Sequence, residues 1–430
     1  MSMKKLFQKI KELAKDGMFH IFGGSVVSKV VGVLSTFFVI RHLDKVAYGE
    51  YVSANNLFSY FTAFVGLGLA NAALQYCSEK ISDQKRNGVY AYSFWFGGIS
   101  NLLLFVGILA FAGLKVYTGN VNEAYYLCLM SGLPFVIYLH TYMQIVLRIR
   151  LNNRAFSFSS MVYSVTMLAG NIIMTVFMGI PGLIISTYFA NVAGFGSSWW
   201  FLRKSKFFTT AFKEREPLPR TYKKEITGYG VVYAFTSFSS MILLLLDITC
   251  LGLVLDDSAV LADYKVATTI PTAIAFIPSC LLVYFYPKMV RAFSEGKENG
   301  RKYVKQMTKL FVGVNGGIFV LLILGSYPLI YLGFGEKYIN VVPIFLVLCV
   351  NYLIHSVQML YSHVLAVVKR LKANLALSLF SGGVNIGLNL LMITWWQSMG
   401  AAIATVITTC LITGLYFIYI RRFYNEQEMV

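Results

Sequence analysis

The chain has 430 residues, of which 57% are hydrophobic and 13% charged, with a mean hydropathy of +0.64 and a formal net charge of +18. This balance makes a polytopic helical membrane protein the expected class, and the gaps between apolar stretches are too short to hold a soluble catalytic domain. The excess of Lys and Arg is spread over short loops, which suits anionic lipid headgroups rather than nucleic acid.

Residues 1–17 are expected to form a cytoplasmic amphipathic segment, with Leu6, Phe7, Ile10, Leu13 and Ala14 at helical spacing between lysines. Twelve apolar spans follow, near 18–40, 53–76, 89–113, 124–147, 156–178, 182–202, 229–254, 264–287, 306–325, 340–366, 374–395 and 399–420. Most are long enough to cross a hydrocarbon layer as helices. The first contains Lys29 and lacks a small-residue cleavage site, so it is expected to stay attached rather than act as a signal peptide. Basic residues fill every second gap: the clusters beginning at Lys4, Lys80, Arg148, Arg203, Lys288, Lys369 and Arg421 alternate with outer gaps holding only Arg41, Lys45, Lys115 and Lys337. The positive-inside rule therefore places both termini in the cytoplasm.

The longest inner hydrophilic segment, 205–225, carries Pro217, Pro219 and mixed charges, and is read as a linker between six-helix bundles at 18–204 and 226–422, with a cytoplasmic tail at 423–430. An internal repeat supports this. At an offset of 213, Asp44, Tyr51 and Ala54 lie over Asp257, Tyr264 and Ala267. At an offset of 218, Ala155, Asn171, Gly182, Thr187 and Arg203 lie over Ala373, Asn389, Gly400, Thr405 and Arg421. Six spans per repeat give the halves parallel orientation, an arrangement used by alternating-access transporters.

No GxSxG, Walker A or HExxH motif is present, and the histidines are scattered, so an enzyme is not expected. The six cysteines lie far apart without CxxC spacing and are expected to be free. The informative residues are polar ones inside spans, because a charge at bilayer depth costs ~2.5 kcal/mol or more and is tolerated facing a cavity or a partner. Ser25, Lys29, Gly32 and Thr36 recur on one face of the first helix, where Lys29 could meet an anionic substrate group or pair with Asp247. Asp247 lies among leucines of the seventh helix, and should pair, bind a coupling cation or carry a proton. Lys265 opens the eighth helix with Thr268, Thr269 and Thr272 on its face, and could instead snorkel to the outer interface. Asn351, His355, Gln358 and Ser362 form a fainter stripe in the tenth helix, and Ser378, Ser381, Asn385 and Asn389 another in the eleventh. Such stripes suit sugar hydroxyls, but equally the packing of one helix on another. Pro271, Pro278 and Pro287 make the eighth helix the one expected to break.

Arg41-His-Leu-Asp44, Tyr48-Gly-Glu-Tyr51-Val-Ser-Ala54 and Gly66-Leu-Gly68-Leu-Ala70 resemble the pattern of bacterial polysaccharide exporters of the Wzx O-antigen flippase type. Asp247-Ile-Thr-Cys-Leu-Gly252 and Asp263-Tyr264-Lys265-Val-Ala267 resemble its counterpart in the second half. Ile248 stands where that family has Arg, and Leu261 or Asp263 where it has Gly. The resemblance implies the fold of the multidrug/oligosaccharidyl-lipid/polysaccharide (MOP) superfamily, all-α and MATE-like, with two six-helix bundles around a central cavity. It further implies a multi-pass protein of the bacterial cytoplasmic membrane that flips an undecaprenyl-diphosphate-linked oligosaccharide. Substrate contacts are expected from Lys29, Arg41 and Lys265, with Asp247 as charge partner or as the site of a coupling H+ or Na+. Ser25, Thr36, Asn351, His355, Gln358 and Asn385 are the candidate cavity polar groups. Expected partners are membrane lipids, the lipid-linked glycan and other polysaccharide-assembly membrane proteins, with no other cofactor and no metal. A cation-coupled small-molecule exporter of the same fold and a non-transporting assembly scaffold remain alternatives.

Overall fold

A computed structural model of the protein describes residues 18–79, 81–205, 207, 209, 213–255 and 257–425, without the side chains of 18–29, 243, 283, 284, 287 and 371. The amphipathic segment expected at 1–17, and the side chains of Ser25 and Lys29, lie outside the described residues. Every regular element among the described residues is helical: α1 Met18–His42, α2 Lys45–Thr62, α3 Leu69–Ser78, α4 Asp83–Tyr117, α5 Val121–Met130, α6 Leu133–Ile149, α7 Asn153–Met178 and α8 Ile180–Lys204, then α9 Arg220–Val254, α10 Ser258–Ile274, α11 Phe276–Ser294, α12 Lys297–Leu324, α13 Ser326–Phe334, α14 Val342–Val367 and α15 Leu371–Asn425.

Eight helical stretches among the described residues are long and apolar enough to cross a membrane, or nine if Arg220–Ile242 and Leu244–Val254, bent by 59°, make one span. The expected count of twelve differs for identifiable reasons. Lys372–Asn425 runs for 54 residues, about 80 Å at the helical rise, far beyond one ~30 Å hydrocarbon thickness. It is interrupted at Gln397, whose φ of 48° breaks the helical path. The interior of α8 carries Ser186, Thr187, Asn191, Ser197 and Ser198, which lower its hydropathy while bonding to neighbouring carbonyls and side chains.

The chain divides into two compact units, Met1–Leu244 and Leu245–Val430. The division falls inside α9 rather than in the 205–225 segment expected to link the halves. The first part of α9 is held in unit 1 by aromatic packing: Tyr76 meets Tyr222 and Tyr229 with ring centroids 5.7 and 5.8 Å apart, and Phe64 meets Phe235 and Phe238 at 5.4 and 5.1 Å. Tyr76 Oη donates to Glu225 at 3.2 Å. The segment ahead of α9 is strapped to the first turns of α4, where Glu216 N–H donates to the Gln84 carbonyl at 3.1 Å and Asn87 Nδ2 to that of Glu214 at 3.1 Å.

The second expected span is broken at Gly66-Leu67-Gly68, three consecutive residues with φ of 60°, 48° and 68°. Glycine at the two outer positions avoids the left-handed strain, and a Cβ on either would overlap the Tyr138 ring or the Gly230 carbonyl. Asn101 of α4 accepts the freed Gly66 N–H at 2.9 Å, so the break leaves that donor satisfied. The eighth expected span breaks at Ala275, one turn after Pro271, as its prolines suggest.

The repeat is physical as well as textual. Asp44 and Asp257 are both N-caps: Asp44 accepts from Val46 N–H at 2.9 Å and Asp257 from Ala259 N–H at 2.9 Å. Gly182 and Gly400 each approach a backbone carbonyl closely, that of Met174 and that of Met392. The φ of 61° at Gly179 recurs as 48° at Gln397, and 53° at Leu151 recurs as 59° at Lys369. The stretch α7, turn, α8 is therefore built again as the two halves of α15.

Candidate functional site

Asp247 lies on the part of α9 that belongs to unit 2, half-buried, among Leu244, Leu245, Leu246 and Ile248. Its carboxylate is held by neutral donors. Tyr264 Oη of α10 donates to Oδ2 at 2.5 Å, Thr405 Oγ1 of α15 donates to the same oxygen at 2.8 Å, and Asn389 Nδ2 of α15 donates to Oδ1 at 2.8 Å. Asn389 Nδ2 also donates to Asn385 Oδ1 at 3.0 Å, and Asn385 Nδ2 reaches Thr405 Oγ1 at 3.5 Å. Residues 385, 389 and 405 meet because the α15 helix reverses at Gln397, bringing its two arms side by side. Asn389 and Tyr264 are 0% and 2% exposed, so two of the donors are fixed by packing.

A carboxylate out of bulk water is stabilised by hydrogen bonds to its charged form, each shorter and stronger than a neutral bond. Three such bonds hold the Asp247 carboxylate without an ion pair among the described residues. One acceptor of the cluster is unused: Asn389 Oδ1 is buried and has no hydrogen-bond partner among the described residues. Asp247, Asn385, Asn389, Tyr264 and Thr405 together form a polar cluster with a single formal negative charge, its other groups being neutral hydroxyls and amides. No group of three or more His, Cys, Asp or Glu that could hold a metal exists among the described residues.

Lys265 follows Tyr264 on α10 and is half-buried, and its ammonium has no ion pair or hydrogen bond among the described residues. Thr268 and Thr269 satisfy their hydroxyls on the Lys265 carbonyl at 2.9 and 2.7 Å. The face through Lys265, Thr268, Thr269 and Thr272 is the less packed one, whereas Tyr264, Val266, Ala267 and Ile270 are buried. A polar stripe at membrane depth is tolerated where it meets water or protein, not lipid.

The other expected residues are dispersed. Thr36 bonds to its own helix at the Gly32 carbonyl, 2.9 Å away, and Gly32 is exposed, so the packed face of α1 runs through Ser35, Val39 and Ile40 instead. Arg41 is exposed in the last turn of α1. On α14 His355 is exposed and Gln358 half-buried, while the Asn351 Oδ1 is buried without a hydrogen-bond partner among the described residues. Ser362 donates to Asn374 at 3.0 Å, a packing contact. Trp199 and Trp200 are exposed beneath Arg203 and Lys204, with cation-to-ring distances of 5.2 and 5.8 Å, as interfacial anchors should be. The six cysteines are unpaired.

Tyr264 and Thr405 were not among the expected site residues. The signal for them lay in the repeat, which matches Tyr51 with Tyr264 and Thr187 with Thr405, but a match between halves does not say which side chain turns toward a carboxylate.

The fold resembles solved transporters of the MOP superfamily. An inward-facing multidrug resistance MATE family transporter of that superfamily aligns with a TM-score of 0.77 at 14% identity, covering 94% of this chain and 96% of that one. The lipid II flippase MurJ in an inward closed conformation aligns with a TM-score of 0.71 at 14% identity, covering 94% and 87%. A MOP superfamily transporter from Pyrococcus furiosus aligns with a TM-score of 0.61 at 13% identity, covering 95% and 94%. No curated protein sequence matches the chain. A family model described as polysaccharide biosynthesis protein matches residues 14–293. With about two-thirds of its length matched, the chain is a multi-pass membrane protein that belongs to the polysaccharide biosynthesis protein family.

Proposed function

We propose that the protein is a flippase that moves an undecaprenyl-diphosphate-linked oligosaccharide from the inner to the outer leaflet of the bacterial cytoplasmic membrane by alternating access. The family match and the MurJ-like fold support a lipid-linked substrate, and the charge pattern supports twelve crossings with cytoplasmic termini. The observation that carries the reading is the ammonium of Lys265, which has no ion pair or hydrogen bond among the described residues, on the less packed face of α10. An ammonium in low dielectric needs a counter-anion, and a diphosphate brings one. Lys29 and Arg41 are the further cationic contacts to be tested one at a time.

Coupling is assigned to Asp247. A coupling Na+ would be held by the carboxylate with the oxygens of Asn385, Asn389 and Thr405, and a proton would be held by the carboxylate alone. Either neutralises the one formal charge of the cluster and so changes which neutral donors it retains. A driving ion works only through different affinity for the two states, and such a change of partners supplies one.

The test is glycan display on a producing cell that lacks the protein, complemented at matched membrane abundance with wild type, Lys265→Ala, Lys265→Arg, Lys29→Ala or Arg41→Ala. The expected result is loss of display and intracellular accumulation of lipid-linked oligosaccharide with Lys265→Ala, and partial recovery with Lys265→Arg. Normal display from a strain without the protein would remove the flippase reading. The MATE-like fold supports a second reading, a cation-coupled small-molecule exporter; it expects altered drug susceptibility with glycan display intact.

A further inference from the structure

Three parts of unit 2 meet around the last residues of α15. Phe423 and Tyr424 lie side by side there, with ring centroids 5.7 Å apart. Lys297 Nζ, from the first turn of α12, stands 4.6 Å from the Phe423 ring centroid, and the Arg370 guanidinium, from the turn between α14 and α15, stands 5.9 Å from the same ring. The Arg301 guanidinium, one turn further along α12, lies 5.6 Å from the Tyr424 ring. We propose that this cluster is a binding site for the phosphate of an anionic phospholipid headgroup. The proposal does not depend on what the protein transports.

Two donors in the cluster lack acceptors. Lys297 Nζ is buried, with no hydrogen bond and no ion pair among the described residues, and Tyr424 Oη is buried with no hydrogen bond among them. An ammonium has three donors and no acceptor, and the ring face beneath it offsets only part of the cost of leaving water. Arg301 has no ion pair among the described residues either. Of the acids beside it on the chain, Glu295 is taken by Arg291 at 3.0 Å and Glu298 is exposed. The group that complements these donors is an anion rich in acceptor oxygens, and a phosphate is one. The lysine head meets it by turning its flexible stem while the Phe423 ring stays on its other side.

The repeat folds without this clasp. At the offset of 218, Phe423 and Arg370 lie over Ser205 and Asn152 of unit 1. Ser205 donates to the Leu202 carbonyl at 2.9 Å, and Asn152 accepts from Ala155 N–H at 3.2 Å, so neutral local bonds finish the same elements there. In unit 2 the rings are packed in place: Phe293 of α11 stacks on Tyr424 with centroids 6.5 Å apart, and Gly300 lets α12 approach Phe293, whose ring a Cβ would overlap. The position suits a lipid rather than a soluble anion. Just before the cluster α15 exposes Phe417 and Ile418, a surface for acyl chains, and the exposed Arg421 and Arg422 follow. Basic groups gathered between helix ends at headgroup level take acidic headgroups, and aromatic rings settle at the same depth.

The experiment titrates the full chain in neutral detergent with dioleoyl phosphatidylglycerol and follows uptake by native mass spectrometry. Wild type is expected to bind one phosphatidylglycerol about tenfold more tightly than phosphatidylcholine, the size of one charge-assisted hydrogen bond. Lys297→Gln and Arg301→Gln should each remove most of that preference. Lys302→Gln takes the same charge from an exposed neighbour on α12 and should leave the preference within about twofold. Should Lys297→Gln fail to fold, the exposed Arg301 decides through Arg301→Gln. A wild type without the preference overturns the site, and equal loss in Lys302→Gln overturns it in favour of a general basic face. Inorganic phosphate bound as tightly as phosphatidylglycerol would assign the cluster to a soluble anion instead. Farnesyl diphosphate bound more tightly than phosphatidylglycerol, and lost in the same variants, would assign it to a carrier diphosphate. Phosphatidylglycerol taken up only after Glu426→Gln with Glu428→Gln would give the cluster to the chain's own acidic end.

Discussion

Each unit knots its helices together with a polar cluster, and the two clusters differ by one charge. In unit 1, Asn171 Nδ2 donates to Ser35 at 2.6 Å and its Oδ1 accepts from the Ser186 hydroxyl, so α1, α7 and α8 are tied by neutral groups with both ends of the amide used. Thr187 bonds back to its own helix at the Leu183 carbonyl. In unit 2 the counterpart of Asn171 is Asn389, and the helix equivalent to α1 supplies Asp247 where unit 1 has Leu34 beside Ser35. There the asparagine meets a carboxylate, Thr405 reaches across instead of back, Tyr264 joins, and the Asn389 Oδ1 is left over. The same packing scheme thus yields a saturated knot in one unit and, in the other, a cluster with a charge and a spare acceptor. A saturated neutral cluster has one stable arrangement. A charged cluster with spare capacity has alternatives, which is what a switch needs.

Four measurements would break or sharpen that contrast. Asp247→Asn should have the largest effect, lowering glycan display at matched abundance by roughly 10- to 100-fold, the equivalent of one charge-assisted hydrogen bond at ~1.5–3 kcal/mol; unimpaired display would make the two clusters equivalent. Next, Ser35→Asp places a carboxylate in unit 1, where Tyr51 makes no hydrogen bond among the described residues. It should destabilise the protein by ~2.5 kcal/mol or more and create no ion dependence. A gain of cation binding in that variant, read by calorimetry, would mean that the scaffold alone makes the site. Asn171→Ala strands the Ser35 hydroxyl, leaves Ser186 only the Leu183 carbonyl, and should cost ~1–3 kcal/mol, seen as a lower melting temperature with the cation dependence of transport unchanged. Thr405→Val should have the smallest effect: removal of one of three donors to Asp247 raises the half-saturating cation concentration several-fold, about 1 kcal/mol, with maximal transport retained.

Much of the architecture was legible in the residues. Apolar length and alternating Lys and Arg clusters marked the helices, because burying a polar backbone in hydrocarbon permits little else. The repeat was legible too, and its matched residues turn out to be N-caps, close glycine approaches and paired asparagines. Pro271 marked a real break. The breaks at 66–68 and at Gln397 were less readable, since a left-handed Leu67 or Gln397 is held there by its surroundings and not by its own preference. Similarly, the first turns of α9 read as the start of the second half, yet Tyr222, Tyr229, Phe235 and Phe238 bind them to unit 1.

The site shows the same partition. Asp247 and Lys265 could be singled out by charge alone, because a charge among leucines or threonines at membrane depth carries a cost that needs a reason. Their surroundings could not. Asn389 and Thr405 are 142 and 158 residues from Asp247 along the chain, and Tyr264 is 17 away on the next helix. The sequence by itself determined a helical membrane protein with duplicated halves and marked the charges whose burial is costly, since composition, periodicity and the cost of burying charge act locally. Only the tertiary structure decided that Asp247 is held by neutral donors while Lys265 has no partner among the described residues, because hydrogen bonds form between whichever polar atoms the packing of distant helices brings within 3 Å or so.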